Sequence, residues 1–148
     1  MGKADLHLHT TASDGMMSPA MLLNYVSVHT RLDLIAITDH NTLEGYYRAR
    51  EFHDRRENDH LHGIELIPGI EVSSRDGHIL GINVTRVIPR GLSAAETVTA
   101  IHEAGGLALA VAKVLRAEPG GIAGLVKRQT ARTGHRMTAG QPALKGSC

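Results

Sequence analysis

Imidazole and carboxylate side chains recur in this sequence where apolar runs give way to polar ones. His7 and His9 close the run Asp5-Leu6-His7-Leu8-His9, and Asp14 follows shortly after. Asp39 and His40 end Leu34-Ile35-Ala36-Ile37-Thr38, Glu71 ends Ile67-Pro68-Gly69-Ile70, and His78 lies across a short polar stretch. Neutral imidazole nitrogen and carboxylate oxygen are donors that suit zinc, manganese and iron. A strand repeats its side-chain direction every second residue, so His7 and His9 project from one face, close enough to grip one ion. An isolated His-x-His pair is equally at home in a core or on a surface. Its recurrence with other ionisable strand ends points instead to a shared metal centre and to metal-dependent hydrolysis.

Such residues need a scaffold that brings strand ends together. Lys3 to His9 reads as a strand. Ser18-Pro19 supplies a helix cap and first-turn proline, and Leu22, Leu23 and Val26 mark the buried face of that helix. Asp33 to Thr38 is a second strand, followed by a helix from about Thr42 to Glu57 whose Arg48, Arg50, Glu51, Arg55 and Arg56 form a solvated side. Ile64 to Ile70 and His78 to Val84 are further strands, and Ser73-Ser74-Arg75-Asp76-Gly77 between them predicts an antiparallel hairpin. Ser93 and Glu96 form a capping box for the next helix, which Gly105-Gly106 closes before an apolar strand from Leu107 to Ala112. The result is an α/β alternation with every chemistry-bearing motif at a strand end, where barrels of consecutive βα units place their active sites. A second His-x-His, His60 and His62, falls in the polar stretch Asn58 to Gly63, which reads as a loop with both histidines solvated.

Composition narrows the alternatives. A chain of 148 residues with 42% hydrophobic content fits one globular domain. A formal net charge of +1 carries no polyanion-binding signature, so nucleic acid is not expected as a stable partner. The single cysteine, Cys148, has no internal partner, which fits a reducing cytoplasm. No apolar stretch approaches the roughly 20 residues that cross a bilayer, so no membrane partner is expected, and Met1-Gly2-Lys3 leads straight into a strand rather than a signal sequence.

Three motifs in order, Asp5-Leu6-His7-Leu8-His9-Thr10 with Ser13-Asp14-Gly15, Ile37-Thr38-Asp39-His40-Asn41-Thr42, and Pro68-Gly69-Ile70-Glu71-Val72 followed by Gly77-His78-Ile79-Leu80-Gly81, resemble the PHP (polymerase and histidinol phosphatase) family of metal-dependent phosphoesterases. The resemblance spans residues 3 to 112. It implies a distorted (β/α)7 barrel and two or three divalent ions, whether zinc, manganese or iron. Matched motif to motif, His7 and His9 would hold one ion, Glu71 would bridge it to a second that His78 completes, and Asp14 with His40 would serve a third. Asp14, His40 and Glu71 are then the catalytic set. The reaction implied is hydrolysis of a phosphate ester by a water that the cations activate, with no nucleophilic side chain needed. Ser13 and Arg75, on loops beside ligands, are candidates for substrate binding, Arg75 as a bidentate phosphate clamp. Asp39 is either a ligand or a partner that fixes an imidazole tautomer, and Asp5 is either the same or a strand-end residue bonded to nearby backbone.

The sequence departs from the family pattern at its C-terminal side. A complete barrel needs ~250 residues, and this chain has room for four or five βα units, so the expectation is a partial barrel, as though truncated or degraded. Residues 1–113 form the metallophosphoesterase domain and 114–148 a divergent tail. Where the family places a histidine ligand after the strand that follows Gly105-Gly106, this chain reads Val111-Ala112-Lys113-Val114. A charged lysine has no lone pair to donate. The family's final aspartate and histidine motif has no counterpart, since beyond Lys113 the only histidine is His135 and no aspartate follows Asp76. Three functional readings follow: a phosphoesterase acting on nucleotides or small phosphate esters, a catalytically impaired metal-binding remnant, or a supporting domain of a DNA polymerase. The open edge of a partial barrel predicts self-association or poor solubility.

Overall fold

The computed structural model describes residues 2–111. Five strands and three α-helices occur among them: β1 (Ala4–Leu8), α1 (Pro19–His29), β2 (Leu34–Ile37), α2 (Glu44–His53), β3 (Glu65–Ser74), β4 (Gly77–Ile82), α3 (Ala94–Glu103) and β5 (Leu107–Ala110). The tail expected over 114–148, together with Lys113 and His135, lies outside the described residues.

Each helix starts where its capping residues direct. The Ser18 hydroxyl accepts the Met21 N–H at 3.3 Å with Pro19 in the first turn, and Leu22, Leu23 and Val26 turn inward. Ser93 and Glu96 form the reciprocal capping box at the head of α3, and Gly105 takes the left-handed φ of +80° just past its end.

One element ends earlier than periodicity suggests. α2 stops at His53 rather than near Glu57, because Arg55 is extended (φ −73°, ψ 136°) and the Asn58 amide donates to the Phe52 carbonyl at 2.8 Å. The chain then forms a 3-10 segment, Arg56–Leu61, where a loop was expected. Leu61 is fully buried there, so a polar stretch is pinned by its one aliphatic side chain. His60 and His62 remain exposed, as the sequence suggests.

The strands form one curled sheet in the order β1-β2-β3-β4-β5. β1, β2 and β3 are parallel, joined by the α1 and α2 crossovers; β4 returns antiparallel as a hairpin, and β5 pairs antiparallel to β4. The described residues therefore make a mixed α/β half-barrel rather than a run of identical βα units. Alternation along the strands separates two faces. Ala36, Ile67, Leu80 and Ile82 pack together on the inner face. Ile35, Ile37 and Leu66 meet α1 and α2 on the outer face, while Ile70, Val72 and Ile79 meet α3 through Val98 and Ile101. On β5, Leu109 lies opposite Leu80 and Leu107 opposite Ile82, yet they are 43% and 67% exposed, so the inner apolar face is uncovered at that edge.

Candidate metal centre

The polar ends of β1, β2, β3 and β4 meet on the inner face. β1 holds one extra residue relative to β2 between Asp5 and Leu8, a bulge of the kind that re-aims side chains beside active sites. Parallel pairing continues past Ile37: Thr38 N–H donates to Leu8 O at 2.8 Å, Glu71 N–H to Asp39 O at 3.1 Å and Asn41 N–H to Glu71 O at 2.9 Å. His40 is thereby set beside Glu71. Across the hairpin Glu71 is opposite Leu80 and Ser73 opposite His78, so Glu71 and His78 are diagonal neighbours on one face.

Glu71 is the centre of the arrangement. It is 3% exposed. Its Oε2 lies 2.9 Å from His7 Nε2, 2.9 Å from His9 Nε2 and 3.9 Å from His40 Nε2, and its Oε1 lies 2.7 Å from His78 Nδ1. Burial alone would push this carboxyl up, but the bonds from His7 and His78 and the charges of His40 and His7 more than offset it, and the group sits below the ordinary glutamate range. Asp14 approaches from the loop after β1, with Oδ1 3.1 Å from His9 Nδ1 and Oδ2 3.4 Å from His40 Nε2. Slight desolvation raises its carboxyl, and the charges of His40 and His9 outweigh that and lower it. The loop that presents Asp14 turns so tightly that Gly15 lies against the His9 carbonyl and Thr10 nitrogen, leaving no room for a β-carbon.

Six of the expected site residues thus converge. Their donor atoms fall into three overlapping trios, His7-His9-Glu71, His9-Asp14-His40 and His40-Glu71-His78, each with its atoms within 4.8 Å of one another. This donor set suits a divalent cation: four imidazoles aim nitrogens at carboxylate oxygens, and a cation would use the same lone pairs. The trios are not independent. His9 presents Nδ1 to Asp14 and Nε2 to Glu71, while the Nε2 of His40 faces both carboxylates. A neutral imidazole has one lone pair to give, so these residues cannot fill all three trios at once.

Other expected site residues are placed differently. Asp39 touches no imidazole: it falls on the opposite strand face from His40, 1% exposed, and bonds to Thr10 and Ser13. The expectation that it ligates an ion or fixes a tautomer is thereby corrected, since period-two alternation that aims His40 inward must aim Asp39 outward. Asp5 accepts the His7 N–H at 3.1 Å, the backbone role. Ser13 spends its hydroxyl on Asp39 at 2.6 Å, with His9 Nδ1 at 3.5 Å. Arg75, in the hairpin turn, lies 3.4 Å from Glu96. Two contributors went unread as such. Thr10 is fully buried against Asp39, and Asn41, at a left-handed φ of 55°, brackets Ser73 by accepting its N–H at 2.9 Å and donating to its hydroxyl at 3.0 Å. A polar residue directly after each histidine motif was the available signal.

The fold is similar to that of a two-domain protein from Bacteroides vulgatus described as containing a predicted PHP-like metal-dependent phosphoesterase, with a TM-score of 0.58 at 21% identity over 72% of this chain and 33% of that one. A 5'-3' exoribonuclease, Rnm, of Salmonella typhimurium is 40% identical over 84 residues, covering 54% of this chain and 27% of its own length. In its motifs and its fold the chain is similar to PHP-like metal-dependent phosphoesterases. An uncharacterized protein of Methanocaldococcus jannaschii is 34% identical to this chain over 119 residues, 73% of this chain and 66% of that protein. No family model matches the chain. The chain spans about two thirds of the Methanocaldococcus jannaschii relative and about a quarter of the exoribonuclease. Among the described residues, no helix is long and apolar enough to cross a membrane.

Proposed function

We propose that this chain binds divalent cations through His7, His9, Asp14, His40, Glu71 and His78 and hydrolyses phosphate esters of the nucleotide kind. The observation that carries this reading is a buried carboxylate, Glu71, ringed by four imidazoles on the inner face of a PHP-like half-barrel. When bound, the ions supply positive charge that acidifies a water and neutralises phosphoryl oxygens. The protein's part is positional. Glu71, ionised at neutral pH, keeps imidazole nitrogens from three other strands pointed at one spot. Asp14 adds a second anionic group on the solvent side, where its carboxylate is 68% exposed and open to an entering ligand. Arg75 reaches a phosphate by exchanging its contact with Glu96, both groups being largely exposed. Zinc, manganese and iron all suit the donors, and the number of ions is set by how His9 and His40 are shared. In this reading residues 1–113 carry the chemistry, and the reducing compartment that a lone cysteine suits is the cytoplasm.

The similarity to an exoribonuclease revises one expectation. Near-neutral charge argues against nucleic acid as a stable partner, yet a transient RNA substrate held by its phosphate at a metal centre needs no basic surface, so RNA ends stand beside nucleotides and small esters as candidate substrates. A second reading, metal binding without turnover, is favoured by one observation: His9 and His40 are each counted in two trios. The test is the full chain stripped of metal and reconstituted with manganese or zinc, then assayed on p-nitrophenyl phosphate, mononucleotides and a 5'-phosphorylated oligoribonucleotide. Metal-dependent hydrolysis of any of these supports the enzyme. Ion uptake without hydrolysis moves the function to the second reading, and no uptake at all removes both.

A further inference from the structure

Asp39 is a buried charge that the ligand set does not use. A carboxylate is taken out of water at a cost unless hydrogen bonds replace its hydration. Here the bonds go to one place, the loop after β1: Oδ1 accepts the Thr10 N–H at 2.7 Å and the Ser13 hydroxyl at 2.6 Å, and Oδ2 accepts the Thr10 hydroxyl at 2.7 Å. Thr10 Oγ1 in turn accepts the Ala12 N–H at 3.1 Å. The network is closed from outside by α2, where Gly45 lies so near Asp39 Oδ2 and Thr10 Oγ1 that a β-carbon has no space. The loop so anchored carries Asp14, which is itself mostly exposed and meets His9 and His40 only while the loop keeps its course.

We propose that Asp39 is a positioning residue: it acts through Thr10 and Ser13 to hold Asp14 against His9 and His40, so that ion uptake involving Asp14 depends on it while uptake at Glu71 through His7 and His78 does not. This inference rests on the metal reading above. It makes the two faces of β2 cooperate, with His40 on the inner face as donor and its neighbour on the outer face tying down the loop that brings the second carboxylate.

Calorimetric titration of the metal-free full chain with manganese or zinc tests the idea. Asp39→Ala should lose, or weaken by about 10–100-fold, the same class of ion that Asp14→Ala loses, with the remaining class bound as in the unaltered chain. Asp39→Asn should restore most of that class, since its amide oxygen accepts from Thr10 and Ser13 and its NH2 donates to the Thr10 hydroxyl. Ser13→Ala, which removes one bond at a partly exposed position, should give a smaller loss of the same class. If Asp39→Ala does not fold, Ser13→Ala decides, and unchanged titration there overturns the proposal. Equal weakening of every class in folded Asp39→Ala also overturns it, as does an unchanged profile. An unaltered chain that takes up no ion overturns the metal reading itself, which separates the two failures.

Discussion

Glu71 and Asp39 are both buried acids, and their different roles follow from strand parity. Glu71 shares the inner face with His40 and His78, whereas Asp39 shares the outer face with Ile35 and Ile37. The residue types of the centre were legible in the sequence because histidine and carboxylate at the ends of apolar runs have few structural uses. The role of Asp39 was not, since two adjacent ionisable residues look alike until the face of each is known. At this scale Glu71→Gln is the informative change, keeping the shape and removing the charge around which the imidazoles gather. Removing a residue that only hydrogen-bonds to a metal ligand costs about 10–100-fold in affinity, so loss of this central anion is expected to lower divalent-ion affinity by more than about 100-fold, measured by calorimetric titration, with circular dichroism unchanged.

Among the elements, α3 links the site to the fold. Its capping box is joined by the hairpin turn: Asp76 Oδ2 accepts the Ala94 N–H at 2.7 Å, Arg75 N–H donates to Leu92 O at 2.8 Å, and Gly91 N–H donates to Ser73 O at 2.8 Å. Ser93→Ala is expected to lower stability by about 1 kcal/mol, read in urea unfolding. The side-chain and backbone bonds from Ser93 hold the Glu96 carboxyl below its ordinary value. A group lowered on folding stabilises the native state above the unfolded pKa, about 4.3 for glutamate, and that contribution fades as pH falls through the folded value. Stability of the unaltered chain should therefore drop more steeply below about pH 4.3 than that of Ser93→Ala. The start of α3 was readable because a capping box is local chemistry. The end of α2 was not, because it depends on Asn58 reaching back to Phe52 and on Leu61 finding a core, both contacts outside any helical period.

The whole molecule is a sheet with two edges among the described residues, β1 and β5, and with Leu107 and Leu109 exposed on its inner face. Unpaired strand edges beside apolar surface recruit other chains. Sedimentation of the isolated chain is expected to show association that weakens in Leu109→Lys, and a monodisperse monomer in both would refute this. The sequence by itself determined the resemblance to PHP-like phosphoesterases, the order of strands and helices, the antiparallel hairpin and the six residues that converge, because hydrophobic period, caps and residue chemistry are written locally along the chain. Tertiary structure alone decided which of the adjacent Asp39 and His40 faces the centre, which imidazoles are shared between trios and which loop Asp39 bonds to. Those are questions of face and distance between segments up to 64 positions apart, as with His7 and Glu71, and only the curl and register of the packed strands set them.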